Sequence, residues 1–363
     1  MKYHLYRSKK SKLSIPNSQL KPHGFTLIEF LVASSLALVV LLAIGITYGI
    51  TSRMRTNSES RLAAQQDLRN ASDLILRDAQ MAGSFGCFNM GNLVQKQMPA
   101  SPHSTEGFQS DTANFKLVLE DPAYSGISIM DANTAKNTFN ISGFVPSNSS
   151  PALIFVYGQN LAPVTEVTNP TAKDVPTELR DVANAGGPIA LSSCGRMYIG
   201  NGRSLTNNEN DLVIGSGFGG GSIISHFSGP DVFYLPQTTL SQVYGVAYVI
   251  GRIPNVNTTA DALYRFTLTP SGSWGNPQLM VSNIQAMDIY QLYAGCNNTN
   301  TSVTFSSNRT ALGSAPDVTR ISMLPTILEM RLRLNDNANT YGTVNQYLIR
   351  ANVRGGNVCA NQS

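Results

Sequence analysis

Lys21-Pro22-His23-Gly24-Phe25-Thr26-Leu27-Ile28-Glu29 leads into a 28-residue stretch, Phe25 to Ser52, reading FTLIEFLVASSLALVVLLAIGITYGITS, whose only charged side chain is Glu29. A helix rises about 1.5 Å per residue, so this run reaches roughly 42 Å against a bilayer core of about 30 Å. It is long enough to span. Lys2, Arg7, Lys9, Lys10, Lys12 and Lys21 precede it with no acid among residues 1–24. The positive-inside rule then predicts an amino terminus in the cytoplasm and residues 53–363 across the membrane. A secretory signal peptide shares the basic start, but its apolar core is usually about 7–15 residues and a small-residue cleavage site follows it. Here the run is longer, and the plausible cleavage point, between Gly24 and Phe25, lies before it.

An ordinary membrane anchor has no use for Glu29. A charged, unpaired carboxylate near the start of a membrane helix costs several kcal/mol, so such residues usually have a partner and a task. Cleavage after Gly24 would expose the α-amino group of Phe25 one helical turn from Glu29. Within one chain that pair is local. Between chains it would set the axial offset of two packed helices.

These residues resemble the prepilin cleavage and methylation motif of type IV pilins and type II secretion pseudopilins. The resemblance implies that a prepilin peptidase cuts after Gly24, that Phe25 becomes the N-methylated terminus, and that Glu29 acts in assembly. The 24-residue leader is longer than many in the family, and the span lacks the proline that bends many major pilins. Gly45 and Gly49 instead form a small-xxx-small pair, with Ser34 and Ser35 also small. Such faces let membrane helices approach closely, although Gly and Ser are common in membrane helices generally.

The whole chain has 363 residues, 26 Lys+Arg, 22 Asp+Glu and 42% hydrophobic residues. That composition supports a real core and excludes a disordered or collagen-like chain. Without residues 1–24 there remain 20 basic and 22 acidic residues, a formal charge of −2. The basic character belongs to the leader, so no direct nucleic-acid binding is inferred.

From Arg53 to Ala82 there is neither Pro nor Gly. Ala64, Leu68, Ala71, Ile75, Ala79 and Ala82 mark one apolar helical stripe. Arg61, Arg69 and Arg77 recur among Asp67, Asp73 and Asp78, which are assigned to the polar side. One continuous helix is predicted from Phe25 to about Ala82, its first half in lipid and its second half against a globular head, ending at Gly83-Ser84-Phe85-Gly86. The expected domains are a removed leader (1–24), this transmembrane and amphipathic helix (25–82) and a periplasmic or extracellular β-rich head (83–363).

Residues 87–240 are rich in Asn, Ser, Thr, Gly and Pro, with short apolar runs such as Leu153–Tyr157 and Asp211–Ile214, and predict long loops between short strands rather than helices. Tyr264–Leu268 and Leu328–Leu334 alternate as strands do, and Tyr347–Arg350 is expected to pair with the latter through a turn at Asn335–Thr343. The fold class expected is α+β and pilin-like: a long N-terminal helix packed on an antiparallel β-sheet head with long loops. Asn283–Tyr293, the later strand through Arg333, the Arg350-Ala351-Asn352 element and Gly86-Cys87 look like PilW-type minor pilins.

Cys87, Cys194, Cys296 and Cys359 form an even set in a domain placed outside the cytoplasm, where disulfides persist. Four cysteines allow three pairings, of which Cys87 with Cys194 and Cys296 with Cys359 is favoured. No CxxC spacing exists, and the head holds only His103 and His226, so no metal site is expected. Gly215, Gly217 and Gly220 match GxGxxG but precede no helix-length segment, and are read as a flexible loop. P-loop, HExxH and GxSxG motifs are absent, so neither catalysis nor a cofactor is expected. The Asn335–Asn339 turn lacks the EF-hand order of Ca²⁺ ligands. The Asn-x-Ser/Thr triplets at Asn140, Asn148, Asn257 and Asn308 are expected by chance in this composition.

The reading is a structural assembly protein, a minor pilin in a priming or tip complex, since about 339 residues after cleavage is large for repetition along a slim fibre. The resemblance implies other minor pilins, the major pilin, a tip adhesin, prepilin peptidase and the inner-membrane platform as partners, and passage from inner membrane to pilus. The alternatives are a type II secretion minor pseudopilin and a membrane-anchored extracytoplasmic binding module. Adhesion, twitching motility and DNA uptake are the outputs such a role can serve.

Overall fold

Helix α1 runs from Leu27 to Met81, and its buried residues are Ala64, Leu68, Ala71, Ile75, Asp78 and Ala79. The computed structural model describes residues 24–90, 126–194, 197–215, 224–227, 233–254, 260–296, 303–308, 324–335 and 345–355, together with strand Phe108–Ser110 and scattered positions between 218 and 321. The leader up to His23, Cys359, Gly217, Gly220, His103 and positions 336–343 of the expected Asn335–Thr343 turn therefore lie outside the described residues. Two compact units divide after Ser58. In the first, none of the helix's most apolar window is buried among the described residues. In the second, which begins at Glu59, the last turns of α1 join the head.

Two large sheets, beside three small ones of two or three strands, make up the described head. The larger has nine strands and centres on β4 (Thr239–Arg252). One edge of β4 pairs antiparallel with β1 (Ala152–Pro163). The other pairs with β5 (Ala262–Thr267) and, nearer its start, with β2 (Pro188–Ser192). β3 (Met197–Asn201) continues from β2, and β6 (Gln278–Val281) from β5. The second sheet has five strands, led by β7 (Ile284–Cys296), β8 (Ile327–Leu334) and β9 (Gln346–Asn352), all antiparallel. Two short pairs are parallel, Phe108–Ser110 with β3 and Ile224–Ser225 with Phe233–Tyr234.

Side chains alternate across a strand, so register fixes what each face of the large sheet meets. Tyr157 lies opposite Tyr244, and Tyr248 opposite Arg265, which puts Leu153, Phe155, Tyr157, Tyr248 and Arg265 on one face. That face shares a buried cluster with the Ala64–Ala82 stripe of α1. On the other face, Phe266 packs at a tilt against Phe139, which follows the short helix α2 (Ala132–Thr138), and edge-on against Phe144, which also meets Tyr264 edge-on, at centroid distances of 4.8–5.1 Å. Both faces are covered, so Leu153–Tyr157 and Val246–Ile250 are continuous buried apolar runs instead of alternating ones. A third helix, α3 (Thr177–Ala185), ends at Gly186 with φ 75° and buries Leu179 and Val182 in a separate cluster with Ile189, Leu191 and Leu240.

The expectation for residues 87–240 is corrected here. That stretch contains α2, α3 and the 12-residue strand β1. Polar residues cap these elements: Asp131 accepts from the backbone N–H of Asn133 and Thr134 at the start of α2, and Asn201 accepts from the Arg203 N–H just after β3.

Candidate functional site

Two groups of residues stand out, one at the start of α1 and one where α1 meets the sheet. At the start, the Thr26 carbonyl accepts the N–H of Phe30 at 3.2 Å, making Thr26 the residue that caps the helix. Its hydroxyl lies 3.4 Å from the Glu29 N–H, while Glu29 Oε2 accepts the Thr26 N–H at 3.0 Å and the Thr26 Oγ1–H at 2.9 Å. This is a reciprocal capping box, which satisfies donors that a helix start otherwise leaves open. Sequence reasoning passed over Thr26, although the Thr-x-x-Glu spacing was the signal for it. Glu29 therefore has a partner within its own chain before any cleavage, and no described residue donates to its Oε1.

Four other hydroxyls of the span bond to the backbone of their own helix. Ser34 and Ser35 donate to Leu31 and Val32 carbonyls, and Thr47 and Thr51 to Ala43 and Thr47 carbonyls, at 2.8–3.0 Å. A Cβ built on Gly24, Gly45 or Gly49 would meet nothing within 4 Å, so no described residue of this chain approaches them. Phe25 is 87% exposed. The span offers an unbroken apolar surface with one acid near its beginning.

The second group corrects the sequence reading of Asp78. This residue sits not on the polar side of α1 but buried, at 2% exposure. Tyr157 on β1 donates its hydroxyl to Asp78 Oδ1 at 2.8 Å, and Tyr248 on β4 donates to Oδ2 at 2.6 Å. Arg265 on β5 places Nη2 at 3.5 Å from Oδ2. Three neighbouring strands thus converge on one carboxylate of the helix. Burial, then the Asp78 charge, pushes both tyrosine hydroxyls far above their ordinary range. Burial opposes the Arg265 charge, but Asp78 and the neighbouring tyrosines outweigh it and hold the guanidinium above its usual value.

These directions set an alkaline limit. Once the pH passes the ordinary tyrosine value of 10, the unfolded chain releases protons that the folded chain keeps on Tyr157 and Tyr248. Stability is whole below that point and falls above it, by about 1.4 kcal/mol per pH unit for each tyrosine. Urea unfolding at a series of pH values above 10 should show this slope, and Tyr157→Phe should flatten it by about one tyrosine's share.

Beyond Met81 the exit of α1 is stitched to the head. The Gly83 N–H donates to Val156 O at 2.8 Å. Ser192 Oγ donates to Phe85 O at 2.8 Å. Cys87 and Cys194 are joined by a disulfide with a Cα–Cα distance of 4.6 Å across 107 residues. Cys296 is also disulfide-bonded. The cleft of about 540 Å³ beside Cys87 is lined by residues such as Val164, Leu235, Pro236 and Thr238 and gathers no ionisable side chain. Among the described residues no three His, Cys, Asp or Glu side chains come together as metal ligands.

No family model matches the chain. Over 83 residues, 22% of its length, the chain is 40% identical to pilin-like protein PilA3 of Thermus thermophilus. The match covers 35% of that relative, so the chain spans about a third of the length of the curated protein it resembles. With the long apolar helix and the antiparallel head, this similarity supports a type IV pilin-like family and a pilin-like α+β fold.

Proposed function

We propose that the chain is a minor pilin that takes part in type IV pilus assembly from a priming or tip position. Prepilin peptidase cuts between Gly24 and Phe25, the new terminus is methylated, and the single-pass protein waits in the inner membrane with its head in the periplasm. The observation that carries this reading is the start of α1: a prepilin-like cleavage motif leads directly into a capped apolar helix whose surface the described residues leave uncovered. Such a helix can exchange lipid for the helices of other pilins, with Gly45 and Gly49 allowing close approach. Glu29 then meets the freed amine of a neighbour and selects the register. Other minor pilins, the major pilin, a tip adhesin and the inner-membrane platform are the partners this role requires. On this reading the chain's task is structural and not enzymatic.

The test is the mass of the amino-terminal peptide from assembled filaments. A peptide beginning with methylated Phe25 is expected. Filament-borne protein that keeps residues 1–24 would reject the mechanism. Deletion should remove extended fibres; fibres that persist while secreted enzymes stay in the periplasm would place the chain in a secretion pseudopilus instead.

A further inference from the structure

The free edge of the second sheet offers a site of a different kind. In an antiparallel pair, residues alternate between those that bond to the neighbour and those whose N–H and C=O point away. The Leu334 N–H donates to Asn345 O and the Val353 N–H to Thr326 O, both at 3.0 Å. The register between β8 and β9 runs without a shift between these two points. Tyr347, Ile349 and Ala351 therefore bond to β8, and the backbone of Gln346, Leu348, Arg350 and Asn352 points outward. Among the described residues nothing pairs with that edge.

Natural edges are usually short, bulged, or marked by Pro or Lys, because an open ladder invites another strand. Two other edge strands follow this rule. β6 has four residues, is bulged against β5 and follows Pro277. Val303–Ser306 has four residues. β9 has seven, lies straight, and carries no Pro, Gly or Lys.

Its side chains say what would fit. On the outer face, Arg331 lies 4.7 Å from the Tyr290 ring centroid and donates to Glu329 at 2.7 Å, while Arg333 reaches Asp288 at 3.2 Å. Glu329 is the residue opposite Arg350, and Arg331 already occupies it. Arg350 is exposed and is the only charge on the edge strand. Beside it in the same row, Leu348 is 54% exposed, while Ile349 and Ala351 face the core at 2% and 1%.

We propose that β9 is a docking edge that receives an extended strand of another protein. The strand sets a carboxylate against Arg350, an apolar residue two positions away against Leu348, and apolar residues at the alternate positions over the core side. Backbone bonds supply affinity and the alternate side chains supply selection.

The probe is the synthetic peptide Thr-Val-Glu-Val-Val-Val-Thr, added to the full chain in detergent micelles and followed by residue-resolved hydrogen exchange. In the free protein the Leu348 and Arg350 amides should exchange rapidly while Ile349 is protected, and the peptide should protect all three. Leu348→Pro removes a donor that β8 does not use, and should weaken binding about fivefold with the fold intact. Arg350→Glu should weaken it by a similar factor, and a peptide with Lys in place of Glu should restore it. Leu348 and Arg350 amides already protected without peptide would mean that the chain covers its own edge, which overturns the proposal. So would binding that ignores the charge exchange.

Discussion

Asp78→Ala should cost about 3–5 kcal/mol of stability, because it strands a part-buried guanidinium and two buried tyrosine hydroxyls with no acceptor. Asp78 is the one carboxylate on which β1, β4 and β5 converge. Asp78→Asn keeps one oxygen as an acceptor but loses the charge facing Arg265, so its cost should be smaller, about 1–3 kcal/mol. The single tryptophan, Trp274, lies 5.1 Å from Phe139 in the aromatic cluster of the opposite face, so its fluorescence reports unfolding of the head. Urea titration of the full chain in detergent gives the comparison. A loss below about 1 kcal/mol for the alanine variant would show that apolar packing alone holds the helix to the sheet.

Glu29→Ala should leave cleavage at Gly24 intact and cut filament incorporation by roughly 100-fold, the factor expected when an interaction worth about 2.5–3 kcal/mol in the membrane is lost. The capping box makes a sharper variant available. Gln can take the place of Glu in such a box, so Glu29→Gln should keep the bonds to Thr26 while removing the charge. Quantitative immunoblots of sheared filaments against membranes would read the result. If the Glu29→Gln variant enters filaments as well as the parent does, the cap, not attraction to a neighbour's amine, is what Glu29 supplies.

The parts of this fold legible from sequence are those with one buried face. Ala64, Leu68, Ala71, Ile75, Ala79 and Ala82 recur at helical spacing because only that stripe of α1 meets the sheet, and all are at most 5% exposed. β8 alternates for the same reason, with Leu328, Met330, Leu332 and Leu334 inward and Arg333 outward. β4, the hub of the head, escaped notice. Covered on both sides, it has no period-2 signature to distinguish Val246–Ile250 from any apolar run. Asp78 was misplaced because its charge argued for solvent, and its partners lie 79, 170 and 187 residues away. No local pattern carries such information. At the other end of α1, Gly24, Phe25 and Glu29 stood out by type and order, whereas Thr26 needed the capping rule applied inside a membrane segment.

The Cys87–Cys194 bond also decides how the molecule bears tension. A pull on α1 resisted anywhere beyond Cys194 arrives within six residues of the helix end at a covalent shortcut, and passes through sulfur to the end of β2. Everything threaded between the two cysteines, including α2, β1 and α3, sits on a slack parallel branch. Extraction forces would have to break chemical bonds before they could unravel that part of the head.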